Sequence, residues 1–454
     1  MHTNGISKNT LKLENLVTIF SIIIYRILLD YIYINYVYKE FEYYHFKLDI
    51  NIDYIIVSYI FMFFVAIEIP KLFENGKLSD IVLGLLIIMY FIPYTSLFAY
   101  NRHDIGFTFF VLFYFILLIV FNRIISLNYL SFKPYNNKMI NDPKFFVVII
   151  IVLGLIRIIT SGIYTGFRIS FDFSDYYEYR AQAREYSMPE IIRYLLGWST
   201  TGLTIGLVYA IIKKNRLLSI YIIICTFLAF SFNGKKSVLF LLVLSILIAL
   251  FYKQKYLKKI PIAFTFLSVL GTVDLIIQGN DSFVCKHFIR RFLFIPPNMS
   301  ILHFDFFSSN EFDYLRTSVL RRLGFQSPYS SYGSIPRLIG AKYFGNQEMA
   351  MNANTGLCGD SFANFGYLSL LFAPLVIILT FKVLEWCCQN TDKKIQIVVA
   401  VFVAYSFCNG SYFTLLLTNG ILFLMLLLSF LNNNKIDSTQ KSGSLVNHKL
   451  KHSY

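Results

Sequence analysis

The sequence predicts an all-α polytopic membrane protein with about twelve transmembrane helices and with one large and one medium extracytoplasmic loop. Three observations predict it. The 454 residues are 56% hydrophobic and 18% aromatic but only 15% charged, with a mean hydropathy of +0.58, whereas soluble domains are ~45–50% apolar and ~25% charged. The apolar residues fall in runs close to the ~20 residues that cross a bilayer. The lysines gather in the segments between alternate runs. The counts of 23 Gly, 11 Pro and 6 Cys exclude collagen-like, disordered and disulfide-scaffold chains.

The runs are 16–37, 52–69, 79–99, 105–122, 145–162, 191–212, 217–232, 237–252, 260–278, 363–385, 395–409 and 411–431. No small-residue cleavage site follows the first, which is expected to remain as an anchor. It carries Arg26 and Asp30, four apart and able to pair on one helix face. Arg157 and Asp274 sit near outer ends of their runs, where snorkelling or a place on the floor of a site is expected. Glu68, followed by Pro70, reads as a helix-end feature.

A cytoplasmic N-terminus places Lys8, Lys12, Lys71, Lys77, the stretch Lys133 to Lys144, Lys213, Lys214, the run Lys253 to Lys259, Lys393, Lys394 and the lysines of the tail on one side. Both termini are then cytoplasmic, with 432–454 as a tail, while 163–190 and 280–362 face outward. The chain reads as one integral membrane domain, 1–454. The net charge of +15 is spread between apolar runs, so nucleic acid is not an expected partner. The outward charge is of a different kind, namely Arg168, Arg180, Arg184, Arg290, Arg291, Arg316, Arg321, Arg322 and Arg337. A guanidinium is a planar fork suited to phosphate and carboxylate, whereas lysine is a solvated point charge. Pairing with Asp172, Asp175, Glu178, Asp305, Glu311 and Asp313 is the plainer role for any one of these arginines.

The cysteines have no zinc spacing, and no metal site is expected. Cys285 and Cys358 bracket the large loop, either by chance or as a disulfide in an oxidising compartment. Within that loop, Glu311 to Phe325 sets Phe312, Leu315, Val319 and Leu323 on one helical stripe, which predicts an interfacial amphipathic helix. His287, Arg290 and Arg291 form a basic helical turn that Pro296-Pro297 is expected to halt. Phe232-Asn233-Gly234-Lys235-Lys236-Ser237 is a tight outward hairpin whose lysines suit a phosphate, although it lacks P-loop spacing. In the run Met351 to Gly366, Asp360 or Ser361 is placed to cap a helix starting near Phe362.

The Asn-x-Asn-Thr-Gly…Gly-Asp-x-x-x-Asn-Phe-Gly run from Asn352, the Asn-Gly-Lys-Lys-Ser hairpin, the arginine-bearing outer loops and the twelve-run layout resemble the Wzy-type oligosaccharide repeat unit polymerases of O-antigen or capsule assembly. The likeness covers nearly the whole chain in layout and short stretches in residues. It implies a glycosyltransferase of the bacterial cytoplasmic (inner) membrane, independent of cofactor, metal and nucleotide. Such an enzyme joins undecaprenyl-pyrophosphate-linked oligosaccharides at the outer face, with a chain-length regulator protein as a further partner. On that reading Arg290, Arg291, Arg321, Arg322 and Arg337 grip pyrophosphate, Arg180 and Arg184 the second lipid substrate, and Lys235 and Lys236 a phosphate. Asn352, Asn354 and Asn364 line the substrate, and Asp360 or His303 orients or deprotonates the acceptor hydroxyl. An O-antigen ligase-like transferase is an alternative, as is a lipid-oligosaccharide flippase. A ligase is expected to carry an Arg and His pair late in the loop, whereas His287 and His303 lie early. A transporter is expected to show internal repeats and polar groups at mid-membrane, and no repeat is found.

Overall fold

The computed structural model describes residues 8–101, 103–125, 143–168, 179, 182–183, 185–345 and 352–431; Arg180, Arg184 and the tail 432–454 lie outside them. Among the described residues there are helices and turns and no strand. In chain order the helices are α1 (Leu13–Glu40), α2 (Ile52–Glu74), α3 (Leu78–Asn101), α4 (Ile105–Ile124), α5 (Pro143–Thr165), α6 (Glu190–Ile212), α7 (Arg216–Phe232), α8 (Lys236–Phe251) and α9 (Gln254–Asp281). They continue as α10 (Cys285–Phe294 running on as Ile295–Phe307) and α11 (Ile335–Phe344). The last are α12 (Leu357–Leu371), α13 (Ala373–Cys388), α14 (Lys393–Asn409) and α15 (Tyr412–Ser429). Eight of these, α1 to α6, α9 and α15, are long and apolar enough to cross a bilayer, and the chain is a multi-pass membrane protein.

All twelve apolar runs are helical, but they differ in kind. Run 363–385 is not one rod: α12 and α13 are bent by 92° where they meet. α7 and α8 are apolar but fall short of the length of the eight long helices. Local chemistry sets several starts. Asn51 accepts from the Asp53 N–H at 2.8 Å, Asp104 from the Phe107 N–H at 3.0 Å and Asn215 from the Leu218 N–H at 3.1 Å, satisfying donors that a helix N-terminus leaves open.

The chain divides into two compact units. One comprises Met1–Ser126, Lys253–Phe381 and Val403–Phe413; the other comprises Leu127–Tyr252, Lys382–Phe402 and Thr414–Tyr454. In the first, α3 is enclosed along its length. Arg26 and Asp30 pair there as their spacing predicts, with Thr95 and Ser58 accepting from the guanidinium and Tyr59 and Ser96 donating to the carboxylate. Glu68, in the turn inside α2, meets Arg123 and Lys71.

Two expectations for the large loop fail, each for a local reason. Pro296-Pro297 does not halt a helix, because residues 285–294 run in π turns in which the Ile295 N–H reaches back to the Arg290 carbonyl. The prolines then fall in the first turn of the following α segment, where a missing N–H costs nothing. Residues 295–304 are buried. Glu311 to Phe325 is not an amphipathic helix but a set of turns, and Leu323 is 71% exposed. The buried Asp313 carboxylate collects Ser327 Oγ at 2.7 Å, Thr317 Oγ1 at 2.8 Å and the Thr317 N–H at 3.0 Å. Tyr314 and Leu315 beside it take left-handed φ values of 50° and 63°, so local hydrogen bonds outweigh the helical stripe.

In the second unit, α5, α6 and α7 pack on one another. Arg157 does not snorkel. It is buried on α5 and donates to Ser199 Oγ at 2.9 Å, Thr200 Oγ1 at 2.7 Å and the Leu196 carbonyl of α6. The unwound stretch 417–420 of α15 meets the same length of α6: the Leu417 carbonyl accepts from Trp198 Nε1 at 2.8 Å and that of Asn419 from Thr201 Oγ1 at 2.9 Å. All six cysteines are free and buried, so no disulfide joins Cys285 to Cys358.

Candidate functional site

At one end of the first unit, four segments distant in sequence converge: the link from α1 to α2, the turn from α3 to α4, the end of α10 and the end of α11. The link is fixed by main-chain bonds. The Lys47 N–H donates to Asn101 Oδ1 at 3.0 Å, the Lys47 carbonyl accepts from the Tyr33 hydroxyl at 2.6 Å, and the Asp49 N–H donates to the Tyr100 carbonyl at 2.7 Å. His45 Nε2 bonds the Tyr343 carbonyl at 2.8 Å. These bonds fix the link beside the end of α11; Asp305, an exposed residue near the end of α10, feels the charges of Lys47 and His45.

Asp305 has the chemistry of a base. Desolvation raises its carboxyl to about 6, with Asp104 adding to the rise and Lys47 and His45 opposing it. None of the ion pairs among the described residues joins Lys47 to Asp104 or Asp305. His103 is lowered to about 3 by burial and by Lys47, and its Nε2 is buried without a hydrogen-bond partner. Tyr343 is raised to about 12 by burial and by Asp305.

An aromatic shelf adjoins these groups. The Arg290 guanidinium lies 4.0 Å from the Phe41 ring and 5.3 Å from that of Tyr44, and donates through Nε to the Lys286 carbonyl at 3.3 Å. Its Nη1 is buried with no hydrogen-bond partner. Tyr44 packs on Phe344 at 5.5 Å, and Phe344 on His45 at 5.6 Å, which links the arginine to His45. Asn298 fixes the Tyr44 carbonyl at 2.8 Å.

The residues singled out from the sequence are dispersed. Arg291, Arg321, Arg322 and Arg337 are exposed in the first unit. Arg316 pairs with Glu311 at 2.7 Å, the plainer role foreseen for outer arginines. His303 is 1% exposed; Nδ1 bonds the Met299 carbonyl at 2.7 Å, Nε2 has no partner, and burial lowers it to about 4. Asp360 does not cap its own helix, which begins at Leu357; its Oδ2 accepts the Tyr412 N–H, 52 residues away, at 2.9 Å. Asn364 latches the 313–315 turn, its Oδ1 accepting from the Leu315 N–H at 2.8 Å. Asn352 and Asn354 are exposed on the approach to α12. The glycines of that run serve packing: a Cβ on Gly356 would lie 1.9 Å from the Phe407 carbonyl, and one on Gly359 2.8 Å from Ser300 Cα. Asp274 accepts from Ser282 Oγ at 2.6 Å and the Val284 N–H at 2.8 Å, anchoring the start of α10.

Lys235 and Lys236 belong to the second unit, at the start of α8. There Arg168 lies 3.7 Å above the Tyr179 ring and donates to Gln182 Oε1 at 2.6 Å, while its Nε and Nη2 are buried without hydrogen-bond partners. Lys47, His103 and Asp104 escaped the sequence reading, and Asp305 entered it only as a counter-ion. The available signal was their membrane side: His45, Lys47, His103, Asp104 and Asp305 all fall in segments that the lysine distribution puts outside. Comparison with protein-family models, with curated proteins and with solved structures finds no match.

Proposed function

We propose that this chain is a polymerase of lipid-linked oligosaccharide repeat units, with twelve spans, both termini cytoplasmic, and its chemistry at the outer face of a bacterial cytoplasmic membrane. One observation supports the reading: within the first unit, an aromatic shelf runs from a guanidinium with an unpartnered buried nitrogen to His45, whose charge acts on a carboxyl raised to about 6. The reaction needs both. Asp305 accepts the proton of the acceptor hydroxyl, whose oxygen attacks the anomeric carbon of the donor glycan. The bond from that carbon to the pyrophosphate oxygen breaks, and its electron pair leaves on the pyrophosphate. Arg290 neutralises the charge developing there. Asp305 takes the base role because it is exposed, whereas His303 is enclosed and Asp360 is engaged by the Tyr412 N–H.

Purified protein in proteoliposomes, given undecaprenyl-pyrophosphate-linked oligosaccharide, is expected to produce a glycan ladder that Asp305→Asn abolishes. A ladder unchanged in Asp305→Asn overturns the assignment of the base. In cells, deletion is expected to leave single repeat units on the glycolipid core; uncapped core would instead mean ligase activity. Reporter fusions after Asp175 and after Ser308 are expected to read as extracytoplasmic, and a cytoplasmic signal at Ser308 defeats the placement of the site.

A further inference from the structure

Arg168 belongs to the second unit, just beyond the end of α5, and the way that helix ends sets its position. Gly166 and Phe167 both take left-handed φ values, 56° and 58°. The Gly166 N–H reaches back to the Gly162 carbonyl at 3.2 Å and the Phe167 N–H to that of Ser161 at 3.3 Å, which satisfies carbonyls that a helix C-terminus leaves open. The Phe167 ring folds over Gly162, where a Cβ would lie 2.7 Å from it. The Arg168 N–H then bonds the Thr165 carbonyl at 3.0 Å.

The guanidinium is held on one face and at one nitrogen. Its face lies 3.7 Å from the buried Tyr179 ring, and Nη1 donates to Gln182 Oε1 at 2.6 Å. Nε and Nη2, which share one edge of the fork, are buried without hydrogen-bond partners, and none of the ion pairs among the described residues involves Arg168. A buried cation with a whole donor edge unmet is costly until an anion meets it. That edge matches two oxygens of one phosphate. Its surroundings are those of a lipid headgroup. α5 leaves Leu155, Ile159 and Ile163 exposed at intervals of four, an apolar stripe along one helix face that ends close before Arg168 in the chain. In the last turn of α5, Tyr164 meets Tyr186 at 5.6 Å and Phe232 at 6.3 Å, and those two rings meet at 5.4 Å. Aromatic clusters at the ends of spanning helices mark the headgroup level.

We propose that Arg168 anchors the phosphate of an anionic membrane phospholipid, with Nε and Nη2 holding two of its oxygens and the acyl chains lying along the exposed stripe of α5. A lipid such as phosphatidylglycerol, whose phosphate carries the headgroup's only charge, neutralises the guanidinium one to one. The site is separate from the Asp305 region and its occupancy is measurable without turnover, so it stands or falls independently of the polymerase reading.

The test follows thermal melting of the full chain in detergent as dioleoyl phosphatidylglycerol is added, for wild type, Arg168→Met and Arg168→Lys. The lipid is expected to raise the wild-type Tm, and dioleoylglycerol or inorganic phosphate alone to leave it unmoved. Arg168→Lys keeps the charge but loses the fork, and is expected to need about tenfold more lipid for half the rise. Arg168→Met is expected to lose most of the response, while melting level with wild type or above it when no lipid is added, because no unmet cation remains. An Arg168→Met protein that melts below wild type by the same margin with and without lipid gives Arg168 a purely structural role and overturns the proposal. Equal stabilisation of wild type and Arg168→Met by the lipid overturns it as well. Should Arg168→Met not fold, an Arg168→Lys titration that coincides with wild type overturns the fork. Protection by inorganic phosphate equal to that by the lipid overturns the lipid assignment in favour of a free anion.

Discussion

Each unit buries an arginine within a helix long enough to cross a membrane, and the two are neutralised differently. In the first, Arg26 meets Asp30 one turn away, and the pair is enclosed by Ser58, Tyr59, Thr95 and Ser96. In the second, no ion pair among the described residues involves Arg157; its charge is spread over two hydroxyls and a carbonyl of α6. A closed pair is inert so long as both partners remain. A guanidinium solvated only by dipoles instead ties its own helix to the next and depends on those dipoles staying in place.

The largest effect expected follows from that contrast. Asp30→Ala leaves an uncompensated buried cation and is expected to cost about 3–5 kcal/mol, seen as loss of folded protein or a steep fall in Tm in detergent. The double variant Arg26→Met with Asp30→Leu removes both charges and is expected to recover most of the loss, because a buried pair often breaks even with an apolar one. Arg157→Met, which strands no charge, is expected to cost only about 1 kcal/mol. If Arg157→Met proves as damaging as Asp30→Ala, the guanidinium is not adequately solvated by α6 and the distinction between the units falls.

The same comparison shows what was legible in the sequence. The twelve apolar runs located by hydropathy are helical, and the i,i+4 spacing gave the Arg26–Asp30 pair, because both signals are local. The burial of α10 was not legible. Its arginines, His303, Asp305 and double proline read as surface chemistry, and nothing in composition signals that π turns carry the chain through the prolines. Asp360 was misread as a cap for its own helix because its partner is 52 residues away. The Asp305 cluster was invisible for the same reason: Lys47, Asp104 and Asp305 come together only once four segments meet.

A smaller effect sharpens the comparison among exposed and enclosed arginines. Arg290, with its ring stack and one unpartnered nitrogen, is expected to fail nearly as badly as Lys as it does as Ala, since charge survives but the fork does not. Arg337, exposed on α11, is expected to tolerate Lys if it contributes only surface charge. Glycan chain length in complemented deletion strains, at matched protein levels, reads both. Wild-type polymer from Arg290→Lys would show that the shelf docks lipid without gripping pyrophosphate.

The smallest effect concerns stability against pH, and its sign is opposite to that of most acidic groups. The Asp305 carboxyl is raised in the folded protein to about 6 from an ordinary value of 3.8, so between those pH values the folded chain holds more proton than the unfolded one. Stability from this group is therefore greatest below about pH 4 and declines as pH rises through about 6. At neutral pH the ionised carboxylate is a cost the fold bears for a working base. Asp305→Asn, which cannot ionise, is expected to melt slightly higher than wild type at pH 7.5 and level with it below about pH 4, while forming no polymer. Since Asp305 is exposed and water screens its charge, the gain is expected to be modest. Thermal melts of both proteins across that range decide the matter: a variant less stable than wild type at pH 7.5 would mean that the carboxylate makes a structural bond, and that its raised proton affinity is not held in reserve for catalysis.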